Sequence, residues 1–132
     1  MSKLSRKKKA AATPTALAPR DKAMLIGVPI LLLAIPALVL HFSAIHQQTA
    51  SISKTVTKWK TTYHINDEQA ARIQQIEIAF HGNGSPFSIK PTRSKEEKHR
   101  HHEEISRLMS PEDGAHFMKA MVAYVRDKQQ RF

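Results

Sequence analysis

The apolar residues of the chain are gathered into one long uninterrupted segment and several shorter helical stripes. Residues 23–40 read AMLIGVPILLLAIPALVL, eighteen positions without a charged or strongly polar side chain. A helix of this length rises about 27 Å, close to the roughly 30 Å hydrocarbon core of a bilayer. The rest of the chain is too polar to surround such a helix on all sides, which argues against a core helix. The pattern therefore predicts a transmembrane helix over residues 23–42.

The same segment is open to two interpretations, a cleaved signal peptide or a retained signal anchor. Retention is favoured because 22 residues precede the segment, which is also longer than a typical signal core. Phe42 also places a bulky ring where a cleavage site needs a small residue. Seven Lys and Arg residues precede the span, against Lys54, Lys58 and Lys60 within the 20 residues that follow it. The positive-inside rule then predicts a single-pass protein with a cytoplasmic N-terminus and residues 43–132 on the far side of the membrane.

The basic charge of the protein is concentrated before the span. The chain has a formal net charge of +10, and residues 1–22 hold seven basic side chains against the single acid Asp21. This arm mixes Lys, Ala, Thr and Pro without a hydrophobic period, so we predict a disordered cytoplasmic segment. Lipid headgroups are its expected partner. Nucleic acid is not expected, since no aromatic side chain or nucleic-acid-binding motif accompanies the charge.

Beyond the span, helical periodicity continues. A stripe at spacings of seven, four, three and four predicts a juxtamembrane helix over residues 43–64, either continuing the membrane helix or packing on the following domain. Its members are Ile45, Ile52, Val56, Trp59 and Tyr63. Pro29 and Pro36, seven residues apart within the span, indicate either a kinked face for a partner helix or the ordinary tolerance of membrane helices for proline.

Residues 65–132 predict a small helical ectodomain with three helix starts. Asn66 with Gln69 and Ser94 with Glu97 are capping boxes, and Ser110-Pro111 is a third N-terminal signal. Gly82 predicts the end of the first of these helices, and residues 82–93 a loop. The fold class is therefore all-α, a helical hairpin or bundle behind one transmembrane helix. A core this thin favours a homodimer, for which the stripe at residues 45–63 is a possible seam, or packing on a membrane protein partner.

Two of these helix starts resemble each other. INDEQAARIQQI and MSPEDGAHFMKAM both have an apolar residue, a cap and a polar side chain three residues on: Ile65, Asn66 and Gln69, then Met109, Ser110 and Asp113. They resemble the paired LTxxQ-type starts of the Spy/CpxP-type periplasmic proteins, a group that includes membrane-anchored heavy-metal resistance sensors. The sequence differs by Asn66 for Thr, Met109 for Leu and Asp113 for Gln. The resemblance implies a helical, often dimeric periplasmic protein with a chaperone-like or metal-sensing role. Together with the predicted topology, it implies an anchor in a bacterial inner membrane and residues 43–132 in the periplasm.

Histidines provide the candidate chemistry. Of the eight in the chain, three lie in KHRHHEEI, where His99, His102 and Glu103 share one helical face and His101 lies off it. Two imidazoles and a carboxylate can hold Zn²⁺, Cu²⁺ or Ni²⁺, and His116 could complete such a site. The alternatives are a solvated face rich in Lys, Arg, His and Glu, and a pH-responsive patch.

No pattern of residues in the chain indicates catalysis. It contains no Cys, no nucleophile elbow and no phosphate-binding glycine loop. We therefore expect a non-enzymatic protein. Two functions remain open from the sequence. One is a Spy/CpxP-like stress or metal-responsive binding module, and the other is a structural or accessory subunit of a larger membrane complex.

Overall fold

Four α-helices make up the computed structural model, which describes residues 16–131. They are α1 (Pro19–Thr62), α2 (Asp67–His81), α3 (Lys95–Ser106) and α4 (Pro111–Gln130). No strand occurs within residues 16–131, so the predicted all-α class is confirmed for them. Residues 1–15 of the basic arm lie outside the described residues. The chain divides into two compact units, Met1–Ala37 and Leu38–Phe132, and each is described separately.

The apolar segment is part of one long helix. Where the sequence predicted a membrane helix and a juxtamembrane helix, α1 runs without a break for 44 residues, with Pro29 and Pro36 inside it. Its first residue is Pro19, so the helix includes the last four residues of the predicted 1–22 arm. The most apolar 18-residue window has a mean hydropathy of 2.7, and none of it is buried. The helix is therefore long and apolar enough to be a membrane span or a signal sequence.

All three predicted helix starts are present in the second unit. Asn66 Oδ1 accepts from the Gln69 amide at 2.8 Å, and Gln69 Oε1 accepts from the Asn66 amide at 2.8 Å. Ser94 and Glu97 form the same reciprocal pair. Such boxes satisfy two amides that the first helical turn leaves without partners. At its other end α2 stops where predicted, at Gly82, whose φ of 80° lies in the left-handed region that glycine adopts readily.

The starts of α2 and α4 also contact each other. Gln69 Nε2 donates to the Leu108 carbonyl at 2.7 Å, just before the α4 cap. On the other side, Asp113 Oδ1 lies 3.6 Å from His64 Nδ1, just before the α2 cap. Gln69 and Asp113 therefore each lie in the first turn of their own helix. Each side chain also contacts the segment that precedes the other helix. The repeated pattern in the sequence corresponds to two helix starts that lie side by side.

Phe117 of α4 lies at the centre of the core and is fully buried. The rings of Trp59 and Tyr63 from α1 meet it edge-on, with centroids 5.0 and 5.5 Å away. The stripe at residues 45–63 therefore packs on the domain and also continues the apolar helix, so both outcomes that the sequence offered occur together. The other buried apolar side chains are Ile52, Val56, Ile65, Ile73, Ile105 and Met109.

α3 packs between α2 and α4. The approach to α4 is close at Gly114, where a Cβ atom would lie 2.7 Å from the Ser106 carbonyl oxygen. Only glycine fits this contact without moving the backbone. This close approach brings Ile105 and Phe117 into the same core, and it fixes the position of α3 along α4.

The N-cap of α4 gives the first prediction. Ser110 Oγ accepts from the Asp113 amide at 3.1 Å, so Ser110→Ala removes that acceptor and should lower the free energy of unfolding by about 1 kcal/mol. For a domain of this size the melting temperature should fall by several degrees. Fluorescence of Trp59, the one tryptophan in the chain, reports the melt because its ring touches Phe117.

Ser110→Thr is the control, since its hydroxyl keeps the acceptor at the cap and the hydrogen bond that position 110 donates to Asp113 Oδ2. An alanine variant that melts like the wild type would show that Ser110 does not stabilise α4.

Candidate metal centre

A carboxylate occupies a core position of α2. Glu77 lies in the same stripe as Ile73 and Phe80, at spacings of four and three, and is 6% exposed. An ionised carboxylate in such a place is costly unless hydrogen bonds or charges compensate it. The residues that surround Glu77 therefore define the most unusual polar environment in the described part of the chain.

Two imidazoles meet this carboxylate. His101 of α3 is 4% exposed, and its Nε2 lies 2.7 Å from Glu77 Oε1. His81, one turn further along α2, places its Nε2 3.3 Å from Glu77 Oε2, and its side chain is 50% exposed. Because the carboxylate accepts, His101 donates from Nε2 when no metal is bound. Each carboxylate oxygen thus faces one imidazole, one of them buried and the other open to solvent.

The position of the His101 ring is fixed by stacking. The ring lies parallel to that of Phe80, with centroids 3.8 Å apart and planes 8° from each other. Arg93 in turn places its guanidinium 4.9 Å from the Phe80 centroid and donates to the Phe80 carbonyl at 3.3 Å. A stacked ring of this kind holds the imidazole in one orientation. The nitrogen that faces Glu77 is therefore preorganised rather than free to rotate.

The electrostatic balance at Glu77 favours the ionised form. Burial by itself raises the pKa of this carboxyl, but the hydrogen bonds from His101 and then His81 outweigh burial and lower the pKa to about 2. Glu77 is consequently an anion at neutral pH, although it is buried. The His102 imidazole, near the cluster on α3, has its pKa lowered by burial and by the neighbouring His101.

An anionic oxygen and two imidazole nitrogens form a set suited to a transition metal. One ligand atom from each of Glu77, His81 and His101 lies within 4.8 Å of the others. Around tetrahedral zinc with bonds of 2.0–2.1 Å, ligand atoms are roughly 3.3 Å apart, so the three side chains need only small shifts to bind it. Three protein ligands also leave a fourth position for water or another ligand.

The residues predicted from sequence are placed differently. His99 and Glu103 do come together, with Nε2 and Oε1 3.3 Å apart, but their side chains are 56% and 43% exposed. His102 is partly buried and turns its ring toward Phe117, with centroids 6.1 Å apart. His116 is exposed on α4. Within residues 16–131, the group of three or more His or acidic side chains close enough to share an ion is Glu77, His81 and His101. The site proposed at His99, His102 and Glu103 stays a prediction.

Two signals in the sequence point to the buried cluster. Ile105 is four residues after His101, so these side chains share a helical face and the buried face of α3 includes His101. Glu77 interrupts an otherwise apolar stripe of α2, which marks it as a charge inside the core. Sequence reasoning placed the histidines relative to one another and not relative to Ile105, and therefore assigned His101 to the side away from the site.

A cleft of about 1200 Å³ opens beside the cluster, between the second half of α1 and the other helices of the same unit. Glu77 and His81 form part of its wall. Apolar rings and lysines form much of the rest: Trp59, Tyr63, Phe80 and Tyr124, with Lys54, Lys58, Lys98 and Lys128. The candidate metal centre therefore faces a cavity larger than the 300–1,000 Å³ that small ligands usually occupy.

Comparisons of the chain with protein-family models, with curated proteins and with solved structures gave no match.

The lowered pKa of Glu77 predicts a specific dependence of stability on pH in the metal-free protein. Because the pKa is about 2 in the folded state against 4.5 ordinarily, the stabilisation is complete above about pH 4.5 and is lost as pH falls toward 2. Glu77→Gln cannot ionise. Its melting temperature should therefore lie furthest below that of the wild type at neutral pH, and the gap should narrow below pH 4.5.

Glu104→Gln, which removes an exposed carboxylate of α3, serves as the matched control and should show little gap at any pH. A gap for Glu77→Gln that stays constant from pH 7 to about pH 2 would contradict the assignment of a buried anion.

Proposed function

We propose that the chain is a membrane-anchored, non-enzymatic binding module that responds to a divalent transition metal. The observation that carries the proposal is the buried set of Glu77, His81 and His101, with one ligand atom of each within 4.8 Å of the others. Two of the three ligands are buried and the third is exposed, so an ion can enter from the cleft side. Metal binding would replace the hydrogen bonds that now join the two imidazoles to the carboxylate.

The chemistry of the set narrows the choice of metal. Two imidazoles and one carboxylate suit Zn²⁺, Cu²⁺ and Ni²⁺ better than Mg²⁺ or Ca²⁺, which prefer oxygen ligands. The ligands come from α2 and α3, so an ion would tie these two helices together. Because a metal that binds only the folded state stabilises it, the domain should become more stable when loaded. That change in stability is the proposed basis for a response to metal.

The long apolar helix supports the anchor. None of the most apolar window of α1 is buried, and a lipid bilayer would cover such a surface. With the basic residues placed before it, we propose a retained single-pass anchor in a bacterial inner membrane, N-terminus cytoplasmic. The domain that carries the cluster would then lie in the periplasm. Both the metal response and this location agree with what the resemblance to Spy/CpxP-type proteins implies.

A second candidate function is an accessory subunit of a larger membrane assembly, and the cleft is the observation that favours it. Four lysines line a cavity large enough for a segment of a partner helix, and the one acid there, Glu77, is already matched by imidazoles. The acidic side chains of an amphipathic helix would pair with these lysines, and its apolar face would pack on the aromatic rings of the cleft. Isolation in mild detergent separates the two functions, since an accessory subunit would retain a stoichiometric partner and a metal-responsive module would not require one.

Calorimetric titration of the full chain in detergent with Zn²⁺ tests the proposed function. We expect saturable binding that weakens as pH is lowered, because imidazoles must be deprotonated to bind metal. His81→Ala should weaken binding strongly, since it removes one of two imidazole ligands. Its side chain is half exposed, so the variant should still fold, and Trp59 fluorescence checks this.

His99→Ala is the matched control for that variant. His99 is also part of an i,i+4 pair with a glutamate, at the same 3.3 Å distance and with similar exposure. It should leave zinc binding nearly unchanged. The reverse result, loss with His99→Ala and none with His81→Ala, would support the site at His99, His102 and Glu103 instead. Absence of saturable binding at micromolar zinc would contradict the proposal as a whole.

A further inference from the structure

The loop over residues 82–93, called the 82–93 loop below, exposes two large apolar side chains. Phe87 is 67% exposed and Ile89 is 95% exposed. Both belong to the Leu38–Phe132 unit, whose buried core contains few large side chains. Exposed apolar groups on a domain with so thin a core are expected where they meet another surface.

The 82–93 loop is attached to α1 at a defined place. Ser85 is buried, and its Oγ lies 2.6 Å from Nδ1 of His41. The Phe87 ring lies beside the same histidine, with centroids 6.0 Å apart. Gly84 lies against α1 two turns further on, where a Cβ atom would lie 2.4 Å from Gln48 Cβ, and its φ of 80° also favours glycine.

Internal hydrogen bonds hold the 82–93 loop in shape. The Ser85 amide donates to Asn83 Oδ1 at 3.0 Å, and the Phe87 amide donates to Ser85 Oγ at 3.2 Å. The Ser88 amide and hydroxyl both donate to the Ser85 carbonyl, at 3.2 and 2.9 Å. A turn satisfied in this way presents Phe87 outward as a fixed feature. Its exposure is therefore built into the loop and is not the result of a loose chain.

The attachment point coincides with the end of the apolar segment. His41 directly follows residues 38–40, the last three of the apolar run, and these are 53–62% exposed in the same compact unit. Phe42, on the other side of His41, is 64% exposed. The Phe87 side chain thus continues the apolar surface of residues 38–42 within the same unit, and Ile89 lies two residues further along the 82–93 loop. A membrane interface lies at the end of the apolar segment if α1 spans the bilayer, and aromatic side chains are favoured there.

We propose that Phe87 and Ile89 insert into the interfacial layer of the bilayer, so that the 82–93 loop is a second membrane contact of the domain. The proposal rests on the proposed function in one respect, the insertion of α1. Continuity with the apolar surface of α1 identifies lipid as the partner, in preference to a second copy of the chain. A loop anchored beside the span restrains the domain against the membrane surface, and α2, which ends in His81, leads directly into it.

Depth measurements on the full chain test this contact. The protein contains no cysteine, so single cysteines can carry an environment-sensitive fluorophore without background labelling. The informative variants are Phe87→Cys and Ile89→Cys in phosphatidylcholine vesicles. Emission at both positions should be quenched by a nitroxide on the upper part of the lipid acyl chain, and protected from iodide in the water. Leu32→Cys marks the span, and Ala123→Cys marks an exposed position of α4 with the same fluorophore.

The outcomes are distinguishable. If Leu32→Cys is quenched by lipid while positions 87 and 89 respond like Ala123→Cys, the loop contact is overturned and the span stands. If Leu32→Cys itself is quenched by iodide and not by lipid, the membrane anchor fails, and the loop contact fails with it. Protection of positions 87 and 89 from both quenchers would place them against protein and would also overturn the proposal. Lipid quenching at all of positions 32, 87 and 89, but not at 123, supports it.

Discussion

The buried carboxylate of Glu77 constrains the second unit more than any other single group. A small helical domain has little apolar surface to offset the burial of a charge, so this anion must be compensated where it lies. His101 supplies the compensation from α3 at 2.7 Å, and His81 supplies a second contact from α2 itself. The position of α3 relative to α2 is therefore set by a polar contact. The remaining core, from Ile105 to Phe117, follows from where α3 lies.

The same arrangement explains why one site can be both structural and responsive. Removing the imidazole that hydrogen-bonds a buried carboxylate leaves an uncompensated charge, which usually destabilises a protein strongly. A metal ion would avoid that penalty, because the cation would take the place of the hydrogen-bonding protons and bind all three side chains. Binding and folding are then linked, as in other small domains whose ligands are assembled only in the folded state. Because Glu77 and His81 form part of the wall of the cleft, metal binding would also alter the surface of the cleft.

Local features of the sequence predicted most of the fold. The caps at Asn66, Ser94 and Ser110 depend on hydrogen bonds within a few residues, so their positions could be deduced from the sequence and are confirmed. Continuity of α1 was one of two outcomes left open, because a periodic pattern does not say whether a helix breaks between two stripes. The candidate site was harder. It joins residues 24 positions apart, and its burial depends on which face of α3 meets α2.

The proposed metal response depends most directly on whether a metal takes the place of the proton between His101 and Glu77. Long-range proton–nitrogen NMR of the imidazole rings in the full chain, with and without Zn²⁺, measures this at the atoms concerned. In the metal-free protein His101 Nε2 should carry the hydrogen that Glu77 accepts. With zinc, Nε2 of both His81 and His101 should lose its hydrogen and show the shift of a metal-bound nitrogen. Retention of the Nε2 hydrogen on His101 in zinc-saturated protein would contradict the account.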